Sequence, residues 1–178
     1  MEDFLNILER HEITVLVDVR SNPFTKYSAH FNQVPLRNSM QQAGLKYLFL
    51  GRELGGKPND ESFYDDEGYL RYDRVADSPM FKTGLSRVLS GIENYSIALM
   101  CGEENPTGCH RRLLIARVLL DHGVSVSHIR SGGNIQSESD LVRDEERSDG
   151  GAQQLTLFSE SLVEKPWRSA KPAVARRI

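Results

Sequence analysis

Residues Ile13–Val19, Ile-Thr-Val-Leu-Val-Asp-Val, constrain the fold more than any other segment. The run is short, β-branched and apolar at successive positions, so both faces of the strand need cover. That is the pattern of a central strand in a parallel sheet, where crossover helices pack on both sides. Residues 2–10 precede it with Phe4, Leu5 and Leu8 on one helical face. After it, Asn32 is placed to cap a helix through Gln42, and Gly44 to stop it. Tyr47–Leu50 reads as a second strand and residues 95–100 as a third. Between them Ser78 and Pro79 open a helix through Leu89. A further helix runs from about Gly108 to His122-Gly123, and the alternation of Val124, Val126 and His128 suggests an edge strand. Strand–helix alternation of this kind predicts a single three-layer α/β domain with a mainly parallel sheet over residues 1–130.

The composition changes after Ile129. Residues 131–153 are rich in Ser, Gly, Asp and Glu and lack periodicity, so 131–178 is expected to be a flexible tail. Within it stands Gln154-Leu155-Thr156-Leu157-Phe158, with two leucines and a phenylalanine that need a partner to bury them. The pentapeptide resembles the motif by which bacterial repair and replication proteins dock on the sliding clamp. In those motifs the glutamine makes polar contacts and the Leu-x-Leu-Phe side chains fill an apolar pocket, which assigns Gln154, Leu155, Leu157 and Phe158 as candidate partner-binding residues. Changing Leu157 and Phe158 to Ala is expected to abolish capture of the clamp in a pull-down; undiminished capture would refute the docking role.

The chain has 178 residues and a formal net charge of −3. It therefore has no global attraction to nucleic acid, and such contacts must be local. No apolar stretch approaches the roughly 20 residues that span a bilayer, so no membrane partner is expected. The N-terminal residues make an acidic amphipathic helix rather than a secretory signal. Two cysteines do not make a disulfide scaffold, and a reducing cytoplasm is the expected location.

Both cysteines fall in Cys101–Arg111, Cys-Gly-Glu-Glu-Asn-Pro-Thr-Gly-Cys-His-Arg. This polar segment joins the third strand to the helix that follows. Ligands collect at the carboxyl ends of parallel strands, and helix N-termini lower thiol pKa values. Cys109 is thus expected as a thiolate nucleophile with His110 as its acid/base partner, and Cys101 as an alternative nucleophile or resolving partner. Asp18, Arg20 and Ser21 lie at the tip of the first strand, on the same edge. Arg20 and Arg111 could clamp a phosphate or carboxylate, with Ser21 beside them and Asp18 orienting His110 or Arg111. A nucleotide or nucleic acid is the expected ligand. An internal Asp18–Arg20 ion pair is the plainer alternative.

Zinc is not expected, because the gap between the cysteines is not the close pair that structural zinc prefers. No other cofactor is indicated. The Gly51–Gly56 segment lacks a phosphate-binding signature and reads as a turn. His30 and His128 are weak candidates. A thiol redox or metal sensor and a non-enzymatic binding module are the competing classes.

The chain resembles an uncharacterised bacterial family, domain of unknown function 488, over about residues 3–130. The likeness rests on Val17-Asp18-Val19-Arg20-Ser21-Asn22-Pro23, on Leu54-Gly55-Gly56, and on Met100-Cys101-Gly102-Glu103 leading to Pro106 and Cys109-His110-Arg111. Members usually begin with an additional strand of the Thr-Ile-Gly-His-Ser type before the first helix. Here Met1 falls inside that helix, so the resemblance implies a sheet short of one strand and of a potential site histidine, with an alternative start as one explanation.

Overall fold

The computed structural model describes residues 1–148 and 167–173. Helix α1 (Glu2–Arg10) leads into β1 (Val15–Asp18), α2 (Gln33–Gln42), β2 (Lys46–Phe49), α3 (Tyr72–Asp77), α4 (Pro79–Ile92) and β3 (Ile97–Met100). A π-helical turn, Arg111–Ala116, then runs directly into α5 (Arg117–Asp121). A hairpin of β4 (Ser127–Ile129) and β5 (Ile135–Ser137) and a helix α6 (Glu138–Ser148) follow.

The sheet is parallel with β1 in the centre, in the order β2-β1-β3. All four β1 residues are buried, as the two-sided apolar run requires. Alternation along the strand divides the core. Val15, Val17 and Val19 join Leu50, Leu54, Phe81, Leu85 and Leu114 on one face. Leu16 joins Leu8, Leu36 and Met40 on the other. Helices therefore cover both faces, giving the expected three layers.

Local chemistry explains the helix boundaries. The Ser78 hydroxyl accepts from the Phe81 backbone N–H at 3.2 Å, and Pro79 occupies the first turn of α4. Gly44 adopts a left-handed conformation (φ 74°) where the chain reverses between α2 and β2. Asn32 precedes α2, but its side chain turns away from the helix and accepts from the Thr25 N–H at 2.6 Å.

The structure departs from the sequence reading beyond Ile129. His128 does not extend the main sheet; β4 pairs antiparallel with β5 in a separate ribbon. The first part of the segment read as linker contains β5 and α6. Apart from the buried Leu141, what holds them is largely ionic, which is why hydrophobic periodicity did not reveal them. Buried Arg112 donates to Glu138 at 2.6 Å and to Glu145 at 2.5 and 3.0 Å. The second Glu138 oxygen lies 2.9 Å from Nε2 of buried His128. Burial lowers the His128 pKa and outweighs Glu138, so the neutral imidazole donates there. Residues 167–173 also return to the domain. The Trp167 indole donates to the Leu113 carbonyl at 2.6 Å, and Arg168 pairs with Asp65 and Glu67. No helix among the described residues is long and apolar enough to cross a membrane.

Candidate functional site

Two groups of polar side chains gather at the carboxyl edge of the sheet, and strand parity separates them. In the register, Asp18 lies beside Met100 and Val17 beside Leu99. Val19 and Cys101, one residue further along each strand, therefore face the α4–α5 layer. Asp18 faces the α1–α2 layer.

On that second face Asp18 is fully buried. Its carboxylate accepts from the Arg20 backbone N–H at 3.1 Å, from the guanidinium at 2.8 and 2.6 Å, and from the Tyr47 hydroxyl at 2.7 Å. Arg20 also donates to the Phe31 carbonyl at 2.9 Å, and its side chain is only 11% exposed. Burial, and then the hydrogen bond to Asp18, raise the Tyr47 pKa, so its phenol remains a donor. This is the internal ion pair. Asp18 makes no hydrogen bond to His110 or Arg111 among those described, and the Arg20 guanidinium is committed to internal partners rather than presented to a ligand.

On the first face the two thiols and His110 converge. Cys101 follows the end of β3. Cys109 ends a short 3₁₀ turn, Pro106–Gly108, and sits just ahead of the π-helical turn instead of inside it. Its carbonyl accepts from the Arg112 and Leu113 N–H groups, and its sulfur accepts from the Arg111 N–H at 3.4 Å. His110 Nδ1 lies 3.6 Å from the Cys101 sulfur, and Nε2 lies 3.2 Å from the Val19 carbonyl. A carbonyl can only accept, so the network assigns a proton to Nε2 and points Nδ1 at Cys101. The group that orients His110 is thus a backbone carbonyl of β1, in place of the expected Asp18.

The two cysteines differ in environment. Cys109 is fully buried and Cys101 half-buried. A hydrogen bond from Cys109, then one from His110, the histidine's charge and the Glu103 amide hold the Cys101 thiol well below its ordinary value despite burial. Hydrogen bonding with the neighbouring Cys101 sulfur, burial and the Cys101 charge push the Cys109 thiol up. The half-buried Cys101, with His110 Nδ1 at 3.6 Å, is therefore the thiol better placed to be a thiolate. This inverts the order expected from the helix start alone.

The glycine turn, residues 51–56, packs on this site. A Cβ on Gly56 would lie 2.6 Å from His110 Cγ, and one on Gly55 would lie 2.4 Å from Ser21 Oγ. Ser21 Oγ accepts from the Lys57 N–H at 2.9 Å. The glycines thus let the backbone close against His110 and Ser21. Arg111 is less committed than Arg20. Its guanidinium makes a long 3.4 Å contact with the Glu104 carbonyl. His128, expected to be structural, belongs to the Arg112–Glu138 cluster, and His30 is exposed with its ring against Phe31. Gln154, Leu155, Leu157 and Phe158 lie outside the described residues.

Cys101, Cys109 and His110 are also the one group of three or more His, Cys, Asp or Glu, among the described residues, that could converge on a metal, with ligand atoms within 4.8 Å of one another. A tetrahedral zinc with Zn–S of about 2.3 Å and Zn–N of about 2.0 Å sets sulfur and nitrogen roughly 3.6 Å apart, close to the Cys101–His110 separation of 3.6 Å. Three ligands leave a structural site one short.

A cysteine–histidine pair thus lies at the edge of a parallel α/β sheet. Residues 1–118 match the family described as domain of unknown function DUF488, and the chain belongs to it. No curated protein and no solved structure matches the chain significantly.

Proposed function

We propose that the protein is a thiol-dependent enzyme acting on a nucleotide or nucleic-acid substrate, with a role in DNA repair or replication. One observation carries the thiol chemistry: Cys101 Sγ faces His110 Nδ1 at 3.6 Å while Nε2 is tied to the Val19 carbonyl. That is the arrangement of a nucleophile with an oriented acid/base. Cys101 attacks an electrophilic centre of the substrate, and His110 returns a proton to the departing group. Cys109 stabilises the thiolate by hydrogen bonding and is a positioning residue. Arg111 and the backbone N–H groups near Cys109 supply positive potential for an anionic group. Arg20 and Asp18 hold the strand tip. The repair or replication setting rests on the clamp-like pentapeptide at 154–158.

Alkylation tests the assignment. Iodoacetamide at neutral pH is expected to modify Cys101 and spare Cys109, read by peptide mass spectrometry. With nucleotides and short oligonucleotides offered as substrates, any turnover is expected to vanish in Cys101→Ser. Preferential modification of Cys109, or full turnover by Cys101→Ser, would sink the assignment. The convergence of three ligands within 4.8 Å favours a second reading, a metal or redox sensor. It predicts one equivalent of zinc bound per chain and protection of Cys101 from alkylation by that zinc.

A further inference from the structure

We infer that the loop leaving β1, residues 21–31, is a binding surface for single-stranded nucleic acid that leads into the Cys101–His110 site. The inference deepens the nucleic-acid reading above and rests on it. From Val19 to Arg52 the chain contains no Asp or Glu, yet it carries Arg20, Lys26, Arg37, Lys46 and Arg52 in a protein of net charge −3. The carboxylate just before this stretch, Asp18, is buried and paired with Arg20. Lys46 lies at the opposite end of β2, bonded to Tyr95. Lys26, Arg37, Arg52 and the neighbouring Lys57 are exposed. Cationic side chains on a protein of opposite overall sign provide the local attraction that phosphates require.

The same loop displays Phe24 at 69% and Tyr27 at 87% exposure. Exposed apolar surface restricts the water around it and is unfavourable, and the loop is not slack. The Gln33 N–H donates to the Pro23 carbonyl, the Thr25 N–H to Asn32 and the Tyr27 N–H to the Thr25 hydroxyl. The backbone presenting both rings is therefore pinned before any ligand arrives, which lowers the entropic cost of binding. Lys26 stands between them, its Nζ 5.4 Å from the Tyr27 ring centroid. Aromatic rings alternating with lysine suit stacked bases and a phosphate backbone. Lysine is depleted from protein–protein interfaces, which disfavours a protein partner. A ring can stack only on a base whose face is free, so a single strand is favoured over a duplex.

The loop reaches the site through Ser21. Phe24 follows three residues later, within about 11 Å of chain. Ser21 itself packs on Gly55 and bonds the Lys57 amide, next to the Gly56–His110 contact. A strand stacked on Phe24 and Tyr27 would pass its phosphates along Lys57 toward Cys101.

Fluorescence anisotropy of the full chain with labelled oligothymidine and oligouridine, each of about 15 nucleotides, tests this. Both are expected to bind at low salt, more tightly than a duplex of equal length. A preference for one of them would identify DNA or RNA. Phe24→Ala/Tyr27→Ala is expected to weaken binding at least tenfold. Lys26→Ala/Lys57→Ala should lower the slope of log K against log salt by about 1.4, at about 0.7 per phosphate contact. Both pairs are surface changes, and circular dichroism confirms folding. Wild-type protein that binds neither oligonucleotide, or a double aromatic variant within twofold of wild type, overturns the inference. Cys101 alkylation on the same samples keeps the two proposals apart. Normal alkylation without binding removes the surface alone, while binding with an inert Cys101 removes the thiolate alone.

Discussion

Asp18→Ala is expected to lower the stability of the domain by about 3–5 kcal/mol, the cost of removing one member of a buried ion pair. The estimate follows from what would be left behind. Arg20 is 11% exposed and would lose two charge-assisted bonds, at 2.8 and 2.6 Å. The Tyr47 hydroxyl and the Arg20 amide would lose their acceptor too. Tyr47→Phe removes one hydrogen bond to the carboxylate and should cost less, about 1.5–3 kcal/mol. Urea unfolding measures both, as a fall in midpoint at constant m-value. A loss below about 1 kcal/mol for Asp18→Ala would show that Arg20 finds solvent or another acceptor. Because Asp18 faces away from Cys101, Asp18→Asn, which keeps the shape and the Tyr47 acceptor, should leave the pH profile of Cys101 alkylation in place. A carboxylate that oriented His110 directly would move it.

The second large effect concerns that pH profile. The folded Cys101 thiol is held low by Cys109, by His110 and by the Glu103 amide. Its thiolate should therefore persist as pH falls through neutrality, and the alkylation rate should stay nearly flat between pH 6 and 9. In Cys109→Ala/His110→Ala the two side-chain contributions disappear and the thiol returns toward its ordinary value of about 8.5. The rate should then climb about 75-fold from pH 6 to pH 8, following the thiolate fraction. The slope is the diagnostic, because a lower thiol pKa also lowers intrinsic nucleophilicity and compresses differences in absolute rate. Each single variant should fall between. Gly56→Ala should act in the same direction, since its Cβ would displace the His110 ring. A flat profile in the double variant would falsify the ion-pair account of Cys101.

Several features were legible because they depend on local pattern. The β1 run implied a central parallel strand, and β1 lies between two parallel neighbours. Ser78-Pro79 implied a helix start, and the Ser78 hydroxyl caps α4. The alternation of strand and helix implied three layers, and the core divides into two clusters across the sheet. The location of Cys101 and His110 at the strand edge followed from the same alternation. The ribbon and α6 were not legible in that way. Arg112, His128, Glu138 and Glu145 each look like ordinary surface residues in a polar sequence, and only their convergence makes them a buried cluster. The glycine turn was likewise read as a connection, since nothing local shows that His110 would lie against Gly56.

Sequence by itself determined the layer architecture, the strand edge and the residue types that gather there, because apolar periodicity and capping act over a few neighbouring residues. Tertiary structure decided how those residues divide. A one-residue offset across the β1–β3 register sends Asp18 and Cys101 to opposite faces, so Asp18 closes on Arg20 and Tyr47 while a backbone carbonyl takes over the orientation of His110. The surroundings of the thiols differ as well. The helix start points to Cys109, but Cys109 is fully enclosed, whereas the half-buried Cys101 has His110 Nδ1 3.6 Å from its sulfur.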